Sequence, residues 1–263
     1  MPFHISRALE KIRPSRSNAG SYTRRNEVPT YTVDESQRKA GRVVGFCYLF
    51  SMVMGIFADS YARGHLIVPD NAVETARNIM AHERLFRLGI ASYLISQMSD
   101  VALITALYAI LKRVNQNLAL FATLMRVVQV AIGVVATLNS FDVLRFLSGA
   151  DYLQVFRTDQ LAALARVPIG VYGAGIHVSF VFLGLGSAVF AYLWFKSNYI
   201  PRGLAGLGVI GSLLLATGSF AFIVFPDLSK TVEPIYFLPL GVFEITTGFL
   251  LLLKGLRPVV LLS

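Results

Sequence analysis

Four ionisable residues interrupt long apolar stretches of this sequence. They are Asp100, Arg126, His177 and Glu244. A charged side chain is costly to place in lipid, so such a residue usually faces the interior of a helix bundle or a wet cavity. Residues of this kind mark binding sites, ion paths or buried ion pairs. These four side chains are therefore the first candidates for the chemistry of the protein.

Three of these residues are predicted to share one depth. At a helical rise of about 1.5 Å per residue, Asp100, Arg126 and Glu244 lie roughly 14 to 18 Å from the basic ends of their apolar stretches. That distance places all three near the middle of a bilayer. His177 lies nearer the opposite side by the same measure.

Asp100 and Arg126 are predicted to form a salt bridge. The loop between their two stretches, 112–117, is short, so the two helices are adjacent and antiparallel. Their estimated depths differ by about 4 Å, which an arginine side chain can cover. Gln97 lies one turn from Asp100, and Gln129 lies one turn from Arg126. The pair is either structural, satisfying only its own charges, or part of a polar binding site.

Glu244 has no evident cationic partner in the sequence. It is therefore a candidate for proton-coupled chemistry, or a buried protonated carboxyl. Pro239 stands five residues before it and predicts a kink in that helix. His177 is the weakest candidate, since a bis-histidine metal or haem site needs a partner at equal depth, and His65 and His82 lie outside the apolar stretches. We predict no metal site and no cofactor.

The elements that must carry these side chains are six apolar stretches. A hydrocarbon core about 30 Å thick needs roughly 20 mostly apolar helical residues. The chain is 55% hydrophobic and only 15% charged, which is unusual for a soluble domain. We predict an all-α, polytopic transmembrane helix bundle with one membrane domain over residues 41–256. Its six spans are about 42–60, 87–111, 118–144, 168–195, 203–225 and 234–254.

Basic residues indicate the orientation of the bundle. They concentrate before the first span, in loops 112–117 and 196–202, and after the last span. The positive-inside rule then places both termini in the cytoplasm, with a flexible basic tail over 1–40 and a short tail over 257–263. The opposite loops carry the acidic residues Asp70, Glu74, Glu83, Asp151, Asp159, Asp227 and Glu233.

The first 42 residues, which contain the basic N-terminal tail, account for most of the net charge of +9. Because it immediately precedes a membrane span, anionic lipid headgroups are a simpler partner for it than nucleic acid. We predict a multi-pass protein of the plasma membrane. The first 26 residues, with Glu10 as their only acid, also resemble a mitochondrial transit peptide, so the mitochondrial inner membrane stays open as an alternative. The lone cysteine, Cys47, excludes a disulfide framework within one chain.

Two segments outside the spans are predicted to be helical. Asp70 or Asn71 can cap a helix, with Glu74 placed as in a capping box. The absence of Pro and Gly over 72–87 predicts one long helix that projects from the outer face and continues into the second span. Residues 151–166 have the apolar spacing of an amphipathic helix on the outer leaflet.

His82, Glu83 and Arg87 form a second candidate cluster, at the outer face. His82 and Glu83 match the first two residues of the zinc-binding helix of metalloproteases, but Phe86 occupies the position of the second histidine ligand. The cluster is thus a candidate for acid–base chemistry without a metal.

Small residues recur every fourth position in the fourth and fifth spans. This interval lets membrane helices approach closely, and the short loop between the two spans makes them antiparallel neighbours. We predict that they pack through these residues, which are Gly170, Ala174, Gly184 and Ala188 in the fourth span and Gly208, Ser212 and Ala216 in the fifth.

Several short segments together resemble a known family. This resemblance, to the bacterial membrane family catalogued as domain of unknown function 4386, covers roughly residues 40 to 256. It implies a multi-pass protein of a bacterial plasma membrane and no assigned activity. The segments are 66–70, 74–79, 82–89, 106–108, 111–112, 197–201 and 203–204.

Three classes of function are compatible with these observations. The first is a small-molecule or ion carrier or sensor that uses Asp100, Arg126 and Glu244. The second is a noncatalytic accessory or scaffold subunit that binds other membrane helices. The third is a membrane enzyme acting on a lipid or quinone at the outer face. Since the sequence shows no evident nucleophile, it favours a noncatalytic role.

Overall fold

The computed structural model describes residues 30–31, 34–228, 235–257 and 259–260. Most of the predicted tail 1–40, part of the tail 257–263 and the predicted acidic residue Glu233 lie outside these ranges. Over the described residues the long helices are α1 (Glu35–Ile56), α2 (Ala72–Ala81), α3 (Glu83–Leu111), α4 (Gln116–Phe146), α5 (Thr158–Ser197), α6 (Arg202–Val224) and α7 (Leu238–Leu253).

Among the described residues, five helical segments are long and apolar enough to cross a membrane. The first is α1 together with the π-helix Phe57–Arg63 and the turn Gly64–Leu66, and the others are α3, α4, α5 and α6. The protein is therefore a polytopic helical membrane protein. Helix α7 has 16 residues, which is short of the roughly 20 needed to span a bilayer unaided. A sixth crossing stays a prediction.

The six longest helices form a closed ring. Each packs against the next in the order α1, α3, α4, α5, α6 and α7, and α7 packs back against α1. Helix α2 stays outside the ring and packs against α5. This arrangement brings α1 and α7 side by side and encloses a central space.

Apolar side chains fill the ring near the first residues of α1. Trp194 and Phe190, in the last turns of α5, are almost completely buried, in a continuous hydrophobic core that also extends along the ring to Phe222. Beyond this core the chain ends and loops meet. The Arg257 N–H donates to the carbonyl oxygen of Tyr199 at 3.1 Å. A two-residue antiparallel pairing joins Thr30–Tyr31 to Val259–Val260. This end of the bundle is closed by packing.

Asp34 ties this closed end together. Its carboxylate caps α1 by accepting the Gln37 N–H at 2.7 Å, and it accepts a hydrogen bond from Arg113 Nη2 at 2.5 Å. These donors, the Gln37 N–H first, hold the pKa of Asp34 below its usual range. The α3–α4 loop is thereby attached to the start of α1.

The predicted single helix over 72–87 is wrong. The chain breaks at His82, where φ is −127° and ψ is 41°, and α3 begins at Glu83. Ile79 and Phe86, on either side of the break, are both buried in one cluster with Ile169 of α5. The break separates α2, which packs mainly against α5, from α3, which packs mainly against α1 and α4.

The predicted start of α2 is confirmed. Asn71 is the N-cap residue, and its side-chain oxygen accepts the Glu74 N–H at 2.9 Å.

The predicted amphipathic helix over 151–166 is also wrong. Asp151–Leu153 forms only a 3-10 turn, and residues 158–166 are the first turns of the 40-residue helix α5. Pro168 lies inside α5 and does not end it. A proline removes one backbone hydrogen bond and costs about 3 kcal/mol, and the packing of α5 against α2, α4 and α6 offsets that cost.

Pro239 does not kink a helix. It lies in the first turn of α7, where its missing N–H would have no helical acceptor. Residues 235–236 are also helical, and a turn at Phe237 separates them from α7, so the chain is interrupted just before the proline and is not bent within one continuous helix.

The predicted small-residue contact between α5 and α6 is confirmed at Gly184. A Cβ added there would lie 2.5 Å from the backbone carbonyl oxygen of Ser212 and 2.7 Å from the backbone nitrogen of Ala216. Gly208 instead faces Phe243 of α7, and Gly170 has no neighbouring atom within 4 Å of an added Cβ. Equal spacing along the sequence thus corresponds to three different surroundings.

Gly184→Ala is expected to destabilise the protein by about 1 to 3 kcal/mol, because the added methyl group overlaps the backbone of α6. Gly170→Ala is the matched control, expected to be neutral or stabilising by up to about 1 kcal/mol because alanine favours the helix. Unfolding of the purified protein in mixed SDS micelles measures both. Equal effects of the two changes would contradict the close contact.

Candidate functional site

A cavity of about 300 Å³ lies inside the helix ring. Its walls come from α1 with the π-helix, α3, α4, α5, α7 and the turn before α7. On the first helix it extends from Tyr48 to Ser60, which corresponds to roughly 18 Å along the helix axis. The cavity is therefore elongated along the bundle and large enough for a small molecule.

Arg126 and Asp100 form the predicted salt bridge in the cavity wall. Arg126 is only 3% exposed, and its Nη2 donates to Asp100 Oδ2 at 3.1 Å. Its Nη1 donates to Ser187 Oγ of α5 at 3.1 Å. Gly186 makes room for this side chain, since a Cβ there would lie 2.9 Å from Arg126 Cγ. The pair thus connects α3, α4 and α5.

Glu244 lines the same cavity from α7. It is half-buried, and it interacts electrostatically with both Arg126 and Asp100. Over the described residues the Glu244 carboxylate accepts no hydrogen bond and forms no salt bridge within 4 Å. Among the carboxylates of the cavity wall, Asp59 and Asp100 each form a salt bridge, whereas Glu244 forms none over the described residues.

The two predicted glutamines also line the cavity. Gln97 Nε2 donates to the Val130 carbonyl oxygen at 3.2 Å. Gln129 is 3% exposed, and its Oε1 has no hydrogen-bond partner within the described part of the chain; the same is true of Arg126 Nε. Buried polar atoms without partners are costly, so these two covered atoms leave hydrogen-bonding capacity unused beside the cavity.

A second ion pair, between the buried Arg63 and the partly exposed Asp59, was not predicted from the sequence. Asp59 lines the cavity from the π-helix. Its Oδ1 accepts a hydrogen bond from the Tyr172 hydroxyl at 2.9 Å and lies 3.4 Å from Arg63 Nε. Arg63 also donates to Ser140 Oγ at 2.5 Å, and its guanidinium lies 3.5 Å from the centre of the Tyr172 ring. Arg63 is therefore fully engaged beside the cavity.

The signal that could have found this pair was its spacing. Asp59 and Arg63 stand four residues apart at the edge of the first predicted span, where charged residues ordinarily meet the lipid headgroups. The π-helix that carries them, Phe57–Arg63, is a rare structure that often occurs at functional sites. The sequence reasoning also overlooked the aromatic residues of the cavity wall, which are Tyr48, Tyr93, Phe180, Tyr236 and Phe237.

The remaining predicted site residues lie elsewhere. His177 does not line the cavity and packs edge-on against the Phe222 ring, with 5.5 Å between ring centres. His82, Glu83 and Arg87 line a separate surface depression, and Arg87 Nε lies 2.7 Å from Glu83 Oε1 in an exposed ion pair. The structure thus brings together five of the six predicted bundle residues and leaves the outer-face cluster apart.

A comparison with known families identifies the family of this chain. A family model described as "Domain of unknown function (DUF4386)" matches residues 43–255. The chain belongs to this family. The matched range contains every residue that lines the cavity of this DUF4386 protein. No curated protein and no solved structure matches the chain. Family membership confirms the resemblance seen in the sequence, and the function must be argued from the cavity.

Proposed function

We propose that this DUF4386 protein is a membrane carrier that binds a small polar molecule or an ion inside the helix ring. The observation that carries the proposal is the cavity of about 300 Å³ lined by Asp100, Arg126 and Glu244. Ionisable residues are expensive within a membrane and are usually retained where they serve a polar path or a site. A structural ion pair alone would need neither the cavity nor Glu244.

The distribution of packing supports a carrier. On α1 the cavity is lined only from Tyr48 onward, and before Tyr48 the ring is filled by buried apolar side chains, which include Val44, Trp194 and Leu256. A carrier that exposes its site alternately to each side must be closed on one side in each state. With both termini in the cytoplasm, as we propose, the packed end faces the cytoplasm and the cavity lies toward the outer side.

We also place the protein in the plasma membrane, with its basic N-terminal tail beside anionic lipid headgroups. The tail carries eight Lys and Arg residues, and Arg42 follows it at the start of the first span; a basic residue near an anionic surface contributes about 1 kcal/mol.

The cavity can be filled by a single substitution. Gly55 lines it, and a Cβ added there would have Ser96 Oγ, at 4.0 Å, as its nearest neighbour. We expect Gly55→Leu to fold and to lose the bound small molecule, because the leucine side chain occupies the binding volume. Mass spectrometry of small molecules that copurify with the protein in mild detergent is the measurement.

Gly170→Leu is the matched control. Gly170 is also a helical glycine without neighbours, but it does not line the cavity. We expect it to retain the molecule that the wild type binds. Equal ligand content in both variants would refute the proposed site, and binding without flux in proteoliposomes would identify a sensor instead of a carrier.

A further inference from the structure

We infer that the cavity selects an organic molecule with a single positive charge and an apolar body, such as a protonated amine or a quaternary ammonium ion. This inference rests on the proposed function and names the chemical class of its substrate. It depends on the charge, the lining and the size of the cavity.

The charges in and beside the cavity leave one negative charge without a partner. The carboxylates are Asp59, Asp100 and Glu244. Asp59 is paired with Arg63 and Asp100 with Arg126. Only Glu244 lacks a salt bridge over the described residues, so one positive charge on the bound molecule would complete the balance.

An anion fits this cavity poorly. Both terminal nitrogens of Arg126 are engaged, one by Asp100 and one by Ser187. An anion placed at this guanidinium would also lie near Glu244 and Asp100, which line the same cavity. Like charges at such short range in a poorly hydrated interior repel strongly.

The lining favours an organic cation over a metal ion. Aromatic rings attract cations through their faces, by about 0.5 to 2 kcal/mol each, and recognise amines and quaternary ammonium groups. The cavity volume equals roughly ten water molecules, far more than a bare ion needs. No three His, Cys, Asp or Glu side chains of the described residues come together to hold a metal. The aromatic contributors are Tyr48, Tyr93, Phe180, Tyr236 and Phe237.

Gln129 gives an independent indication of a ligand. Only 3% of Gln129 is exposed, and the residue lines the cavity. Its Oε1 has no hydrogen-bond partner in the described part of the chain. A carbonyl oxygen can accept a hydrogen bond from a protonated amine. It therefore complements Glu244 as an acceptor for a cationic group.

Two probes that share a phenylmethyl group test this inference. Benzyltrimethylammonium carries one positive charge and phenylmethanesulfonate carries one negative charge. We expect the purified full-length protein in detergent to bind the cation, and not the anion, in calorimetric titrations. Gly55→Leu should abolish the binding of the cation, because the leucine fills the cavity.

Phe180 tests the aromatic contribution. It lines the cavity and stacks on Phe237, with 6.1 Å between ring centres. Phe180→Leu removes a ring and retains an apolar side chain, so we expect binding of the cation to weaken about 2- to 30-fold. Phe220→Leu, at a 53% exposed position outside the cavity, should change nothing. If Phe180→Leu does not fold, Phe237→Leu tests the same wall.

The outcomes separate the substrate class from the proposed function. Binding of the sulfonate in place of the cation would overturn the class, as would full affinity for the cation in both the Phe180 and Phe237 variants. If neither probe binds while Gly55→Leu still loses a copurifying molecule, the class is wrong and the carrier proposal stands. If neither probe binds and no molecule copurifies with the wild type, both are overturned.

Discussion

Arg126→Gln is expected to lower the free energy of unfolding by about 3 to 5 kcal/mol, the cost of breaking a buried ion pair from one side in soluble proteins. The change removes the Arg126 hydrogen bonds to Asp100 and Ser187. It also leaves Asp100 and Glu244 close together without the guanidinium that both interact with.

Asp100→Asn is expected to be milder than Arg126→Gln. It leaves Arg126 with Glu244 nearby as a counter-charge and with its bond to Ser187. The double variant should also be more stable than Arg126→Gln alone, because it removes one of the two stranded carboxylates. When Glu244 is also changed to glutamine, Asp100→Asn leaves Arg126 without a counter-charge. In that background Asp100→Asn should no longer be milder than Arg126→Gln.

Unfolding in SDS, together with the yield of monodisperse protein, measures this series. Arg77→Gln is the matched control, since the Arg77 side chain is 72% exposed in its pair with Glu74 and such a pair contributes at most about 1 kcal/mol. If the single changes do not lower stability and their effects simply add in the double variant, Asp100 and Arg126 are not energetically coupled.

Glu244→Gln is expected to have the opposite profile: nearly unchanged yield and a loss of cation binding of about tenfold or more. Glutamine has almost the same shape, and Glu244 forms no hydrogen bond or salt bridge over the described residues that the change could break. Removing its charge removes the anchor that we propose for the cation, and a tenfold loss corresponds to about 1.4 kcal/mol. Titration with benzyltrimethylammonium and the SDS unfolding assay measure the two properties on one preparation.

Glu83→Gln is the control for this prediction. Glu83 belongs to the outer-face cluster, and its side chain is 51% exposed, so we expect neither property to change. A large loss of yield in Glu244→Gln would mean that Glu244 is a structural partner of Arg126. Unchanged cation binding would remove Glu244 from the site, and an effect of Glu83→Gln would favour the outer face as the functional site.

The salt bridge between Asp100 and Arg126 was predictable because it depends on local quantities. The short loop 112–117 makes α3 and α4 neighbours, and the constant helical rise converts residue number into depth. The helices themselves were predictable for a similar reason, since the thickness of the hydrocarbon core requires long apolar runs. Loop length and helical rise are properties of the sequence and need no knowledge of distant contacts.

The failures of prediction occurred where distant packing competes with local preference. No local signal breaks the helix at His82, and Ile79 and Phe86, seven residues apart, would share one face of an unbroken helix as well. The break separates α2, which packs mainly against α5, from α3, which packs mainly against α1 and α4. Gly170 and Gly184 have the same small-residue spacing, yet only Gly184 meets α6, because the rotation of α5 in the ring decides which side of the helix faces a neighbour.

The sequence alone thus determined a polytopic helical membrane protein, membership of its family and one buried ion pair. The cavity depended on the tertiary structure. Glu244 joins Asp100 and Arg126 because α7 packs back against α1 and closes the ring, a contact between the two ends of the chain. Asp59 joins them because the π-helix carries it into the same wall. Depth can be read along one helix, whereas the direction in which a side chain points depends on the helices packed around it.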